Sequence, residues 1–122
     1  MVSTPRLLVC DDAPGFRLLV QTVFGDGGFD VVGTAATWCE AHRAALQLSP
    51  DAILLDLWLP VFERDGVSAV RAAAPEAVLA VVSSLATSQV AELVAGLDGI
   101  DLMLSKREPP EEMVRALRAL LP

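Results

Sequence analysis

Asp11 and Asp12 stand together directly after "RLLVC", Asp56 closes "DAILLD", Ser83 and Ser84 end "AVLAVVSS", and Ser105 and Lys106 end "IDLMLSK". Lys106 is the single lysine in a chain with eight arginines, so a compact, mobile ammonium occupies the one place where a planar guanidinium does not. Three carboxylates brought to one place repel one another and raise their own pKa values. A divalent cation relieves that repulsion, and magnesium in particular takes one or two carboxylates while keeping several waters. A carboxylate is also a competent nucleophile toward phosphorus. The product is an aspartyl phosphate, and its formation depends mainly on positioning and charge neutralisation. Lys106 and a hydroxyl, Ser83 or Ser84, would take the remaining phosphoryl oxygens.

For these residues to meet, the chain must bring separate strand ends to one edge. Short β-rich runs occur at residues 6–10, 29–34, 51–56, 77–83 and 100–105, bounded by Pro, Gly or acidic residues. Between them the apolar period changes to that of a helix. Phe16, Leu19, Val20, Val23 and Phe24 line one helical face; Trp38, Ala41, Ala45 and Leu48 mark a second helix. An alanine-rich third lies near 66–74, a fourth carries Val90, Leu93, Val94 and Leu97, and a fifth carries Met113, Val114, Leu117, Leu120 and Leu121. Pro109 and Pro110 before Glu111 and Glu112 suit the first turn of that last helix. Five strands alternating with five helices predict right-handed crossovers and a parallel sheet covered on both faces. Ligands in such sheets sit outside the carboxyl ends of the strands, where the strand order reverses, and the candidate residues stand at those ends.

Composition narrows the partners. The chain has 122 residues, the length of a single domain over 1–122, and 16 acids against nine Lys and Arg give a formal charge of −7. That balance disfavours direct binding to nucleic acid or an anionic membrane and favours proteins or cations. No apolar run approaches the roughly 20 residues needed to span a bilayer. The N-terminus shows no secretory signal pattern, so a cytoplasmic location is expected. Cys10 and Cys39 sit in no metal-ligand or CxxC spacing and are expected to be small core residues, and His42 a surface residue.

The ordered set "VCDD", "LLDLWLP", "VVSS" and "LSK" resembles the receiver domain of two-component response regulators over essentially the whole chain. The resemblance implies an α/β, flavodoxin-like doubly wound parallel sheet with strand order 2-1-3-4-5. It implies that Asp56 accepts phosphate from a sensor histidine kinase or phosphotransfer protein, and that Asp11, Asp12, Asp56 and the Trp58 backbone carbonyl hold Mg2+. Lys106 would contact the phosphoryl group. The switch hydroxyl is Ser83 when counted from Pro75 and Ser84 when counted back from Lys106. Receivers are not enzymes beyond self-phosphorylation from a phosphodonor and autodephosphorylation, and they often form homodimers.

The sequence also departs from the family pattern. "VFERD" places two extra residues between Pro60 and Gly66, which would reshape the loop over the phosphorylation site and partly cover the pocket. Trp58 sets a large ring two residues after Asp56 and is expected to slow attack by water. Met103 replaces the usual aromatic relay residue, and Arg107 follows Lys106 where many receivers have proline. These departures define the alternative, a pseudo-receiver acting as a phosphorylation-independent dimerisation or docking module. A haloacid dehalogenase-like phosphatase would need an aspartate at position 58, and a flavodoxin a phosphate loop in place of "CDDAPG"; neither fits.

Overall fold

Each apolar run forms a strand and each periodic segment a helix in the computed structural model, which describes residues 4–122. Residues 1–3, the start of the stretch read above for a signal pattern, lie outside the described residues. The chain runs β1 (Arg6–Cys10), α1 (Pro14–Asp26), β2 (Asp30–Ala35), α2 (Trp38–Leu48), β3 (Ala52–Asp56), α3 (Arg64–Ala73), β4 (Val78–Ser83), α4 (Thr87–Leu93), β5 (Leu102–Ser105) and α5 (Pro110–Arg118). All strand pairs are parallel, in the order β2-β1-β3-β4-β5, which is the expected flavodoxin-like topology. The order reverses between β1 and β3. Their connections leave in opposite directions there and open a crevice at the strand carboxyl ends.

Alternation along the strands divides the core in two. Leu8, Cys10, Ile53, Leu55, Leu79 and Val81 face Trp38, Ala41 and Ala45 of α2, Val67 and Val70 of α3, and Val90 of α4. Leu7, Val9, Leu54, Ala80 and Val82 face Val20 and Phe24 of α1 and Met113 and Leu117 of α5. Between their polar ends the central strands are therefore apolar at successive positions, as a sheet covered on both faces requires. α5 begins with Pro110, Glu111 and Glu112 and ends with Arg115 and Arg118, a charge order that complements its dipole at both ends.

Several boundaries and exposures differ from the sequence reading. Phe29 precedes β2 and packs edge-on against Phe24, with ring centroids 5.2 Å apart. β5 begins at Leu102, two residues later than expected, because the Asp101 carboxylate accepts the Leu79 N–H at 2.8 Å and so caps the edge of β4. α3 starts at Arg64, so part of the extended "VFERD" segment is helical. α4 ends at Leu93, and Leu97 packs against the core from beyond it. Cys39 is exposed and not a core residue, because it lies next to Trp38 on α2 and off the stripe that Trp38, Ala41 and Ala45 bury. Leu19 and Leu120, placed on apolar helical faces, are 46% exposed. The buried stripe of α1 is narrower than its pattern, and α5 closes before Leu120.

Candidate functional site

Four strand ends are finished by the same local device. Asp11 Oδ1 accepts the Ala13 N–H at 2.8 Å, Asp56 Oδ1 accepts that of Trp58 at 2.9 Å, and Ser83 Oγ and Ser105 Oγ accept those of Leu85 and Arg107 at 3.1 Å. Asp and Ser favour this bond to the backbone two residues on, and it turns the chain out of the sheet. Candidate site residues thus also shape the loops around the crevice. In both aspartates one oxygen makes the turn and the other, Oδ2, is left facing the crevice.

Lys106 occupies that space. Its Nζ lies 2.9 Å from Asp56 Oδ2 in a hydrogen bond and 2.7 Å from Asp11 Oδ2. Asp11 Oδ2 is fully buried, and this short ionic contact with the ammonium is what balances it. The Lys106 backbone is fixed from the other side by its N–H donating to the Ser83 carbonyl at 2.8 Å. Asp11 is 0% and Asp56 3% exposed, whereas Asp12 is exposed at the mouth. Carboxylate oxygens of all three lie within 4.8 Å of one another. Burial pushes the Asp56 carboxyl up to about 6; the Trp58 N–H and Lys106 pull it down, and the Asp11 charge adds to the rise. Burial alone would lower Lys106, but its contacts with Asp11 and Asp56 outweigh it and hold the ammonium above its usual value.

The structure brings together Asp11, Asp12, Asp56 and Lys106, all expected from the sequence, and closes β4 beside them with buried Ser83; Ser84 is exposed. Trp58 is 37% exposed and leans on Phe62 with ring centroids 5.9 Å apart. Two contributors were not read from the sequence as site residues. Trp38 Nε1 donates to the Val61 carbonyl at 2.6 Å and its ring lies under Gly66, where a Cβ would come within 2.6 Å; it ties the loop after Asp56 to α2. Phe16 places its ring under the Lys106 ammonium, 4.3 Å from Nζ to the centroid. Both carry ordinary apolar periodicity in sequence, which does not distinguish packing on a sheet from packing on a loop or a charge.

The model of the response regulator receiver domain matches residues 7–118. The chain belongs to this family. The receiver is 40% identical to the transcriptional regulatory protein PrrA of Mycobacterium leprae over 124 residues, covering 98% of this chain and 51% of that protein. It is 33% identical to the DNA-binding response regulator MtrA of Mycolicibacterium smegmatis, covering 95% and 50%. The receiver therefore spans about half the length of the curated relatives it matches. Among solved structures, a response regulator from Burkholderia pseudomallei with a phosphorylated aspartic acid, calcium ion and citrate superposes at TM-score 0.80 with 25% identity, covering 93% of this chain and 66% of that one. The chemotaxis response regulator CheY4 of Vibrio cholerae shares the fold at TM-score 0.83 with 23% identity, covering 98% and 100%.

The receiver's acidic cluster fits a divalent cation. Three carboxylates against one ammonium leave about −2 of formal charge in the crevice, and the buried Asp11 Oδ2 has the movable Lys106 ammonium as its partner. Hard oxygen donors of this kind suit magnesium or calcium. No helix among the described residues is long and apolar enough to cross a membrane.

Proposed function

We propose that this receiver takes a phosphoryl group onto Asp56 from a sensor histidine kinase or phosphotransfer protein, with Mg2+ in the acidic cluster, and that phosphorylation switches a protein-interaction face. The observation that carries the reading is the Lys106 ammonium bridging Asp11 Oδ2 and Asp56 Oδ2 at the reversal of strand order. In the reaction an Asp56 oxygen attacks phosphorus as the P–N bond of a phosphohistidine breaks; the electron pair returns to the imidazole nitrogen, which takes a proton. Asp11, Asp12, Asp56 and the Trp58 carbonyl would hold Mg2+, which supplies charge neutralisation at the phosphoryl oxygens. Lys106 swings from the carboxylates to a phosphoryl oxygen. Ser83 is the favoured switch hydroxyl: it ends β4, is buried, and its carbonyl already anchors the Lys106 backbone, whereas Ser84 is exposed. The Trp58 ring, two residues after Asp56 and packed on Phe62, retards attack by water. The domain, residues 1–122, acts in the cytoplasm, where the kinase is charged, and does not itself contact nucleic acid; its charge of −7 supports that restriction.

Intact mass after incubation with acetyl phosphate tests this reading. One added phosphoryl group that requires both Mg2+ and Asp56, and is absent from Asp56→Asn, is the expected outcome. An unchanged mass in the wild-type protein with Mg2+ overturns it.

A further inference from the structure

Lys106 has three partners, and the proposed reaction uses up two of them. Asp11 is shared with the divalent cation, and Asp56 becomes the acyl phosphate. The third is the Phe16 ring, 4.3 Å below the ammonium, and neither event touches it. Phe16 is the third residue of α1, and its position is set by the site itself. Pro14 starts the helix, Asp11 Oδ1 accepts the Ala13 N–H, and the Arg17 guanidinium donates to the Asp11 carbonyl at 2.7 Å. The α1 start and the Asp11 backbone thus form one unit, and Phe16 rides on it between the sheet core and Lys106.

We infer that Phe16 is a positioning residue for phosphoryl transfer: its ring face holds the Lys106 ammonium over the crevice when the carboxylates are engaged elsewhere. This inference rests on the reading of Asp56 as phosphoacceptor. The physical basis is the attraction of a cation to the negative face of an aromatic ring, which strengthens where water is excluded. Here the Lys106 side chain is only 21% exposed. A free lysine carries several rotatable bonds and would otherwise sample positions away from the phosphoryl oxygens. The ring restricts that freedom without competing for the ammonium's hydrogen bonds, so the three N–H donors stay available to the incoming oxygens.

Because Lys106 is the single lysine, protein grown with 13C-lysine reports this one side chain. In the wild type the Lys106 ε-proton resonance is expected upfield of a free lysine through the ring current, both without metal and after Mg2+ and acetyl phosphate are added. Phe16→Leu, which keeps an apolar side chain against the core, is expected to return the resonance to the free-lysine position and to slow phosphorylation by acetyl phosphate on the order of ten-fold. Phe16→Tyr keeps a ring face and is expected to retain both the shift and the rate; the ring-current shift of Lys106, which packing of residue 16 against the core does not by itself produce, separates positioning of the ammonium from a merely structural role. A wild-type resonance at the free-lysine position overturns the inference, and so does a Phe16→Leu protein that phosphorylates at the wild-type rate. The reading of Asp56 fails separately, by an unchanged wild-type mass; the metal-free resonance then still decides whether the ring holds the ammonium.

Discussion

At the scale of single residues, Asp56 is under opposing influences. Its burial favours the neutral carboxyl, the Trp58 N–H and Lys106 favour the carboxylate, and the balance leaves it at about 6 against an ordinary value of 3.8. The folded state therefore binds this proton more tightly than the unfolded chain does. Stability is lost as the pH rises from about 4 to about 6, and the deficit is complete above that. Asp56→Asn is expected to be more stable than the wild type at pH 7 in the presence of a chelator, by about 1–3 kcal/mol, with the difference closing near pH 4. Urea denaturation of both proteins at the two pH values measures it; an equal difference at both would remove ionisation as the cause. The two thiols show how context separates like residues. Cys10 is buried beside Asp11, and burial followed by that charge pushes its thiol up, whereas Cys39 lies exposed on α2. Asp11, Asp12, Asp56 and Lys106 were legible in sequence because a polar residue ending an apolar run stands out. Phe16 and Trp38 were not, because an apolar residue at helical spacing reads the same whatever it covers.

At the scale of elements, the extended segment after Pro60 is anchored at several points. Trp38 holds Val61, Trp58 rests on Phe62, and the chain then enters α3 at Arg64. A cation at the first position of a helix opposes that helix's own dipole. Arg64 is placed there because its guanidinium reaches α4, donating to the Leu93 carbonyl at 2.7 Å and the Ala95 carbonyl at 2.8 Å, where a positive charge is favoured. The loop after the candidate phosphoacceptor is thereby tied to the end of α4. Arg64→Ala is expected to weaken the end of α4 by about 1 kcal/mol, given two charge-assisted bonds at an exposed position. Amide hydrogen exchange should then quicken several-fold at residues 94–97 and stay unchanged in β1 and β3; uniform quickening would point to global destabilisation instead. The sequence marked this loop as long but did not reveal its ties, because the partners are backbone carbonyls that any sequence supplies.

For the whole molecule, the excess negative charge in the crevice makes cation binding a contribution to stability. A cation that binds only the folded state adds about 1.4 kcal/mol at ten times its dissociation constant, which raises the melting temperature of a domain this size by roughly 3–6 °C. Thermal melts across a Mg2+ titration are expected to show this rise, and Asp11→Asn to abolish most of it; a wild-type melt insensitive to Mg2+ would show that the cluster does not hold the ion. Sequence alone determined the number, type and order of the elements, the covered parallel sheet and the four charged residues at its carboxyl edge. Those features follow from local signals: the period of apolar residues, the Pro and Gly boundaries, and the polar residues that end each strand. Tertiary structure decided what depends on distant segments meeting. It determined which serine is buried, that Arg64 spans to α4 and Trp38 to Val61, and that Cys39 and Leu19 stay in solvent. It also decided that the single lysine lies between two carboxylates and the face of Phe16, 90 residues before it in the chain. No local pattern encodes that contact, because it arises only when α1 packs on the sheet and β5 pairs with β4.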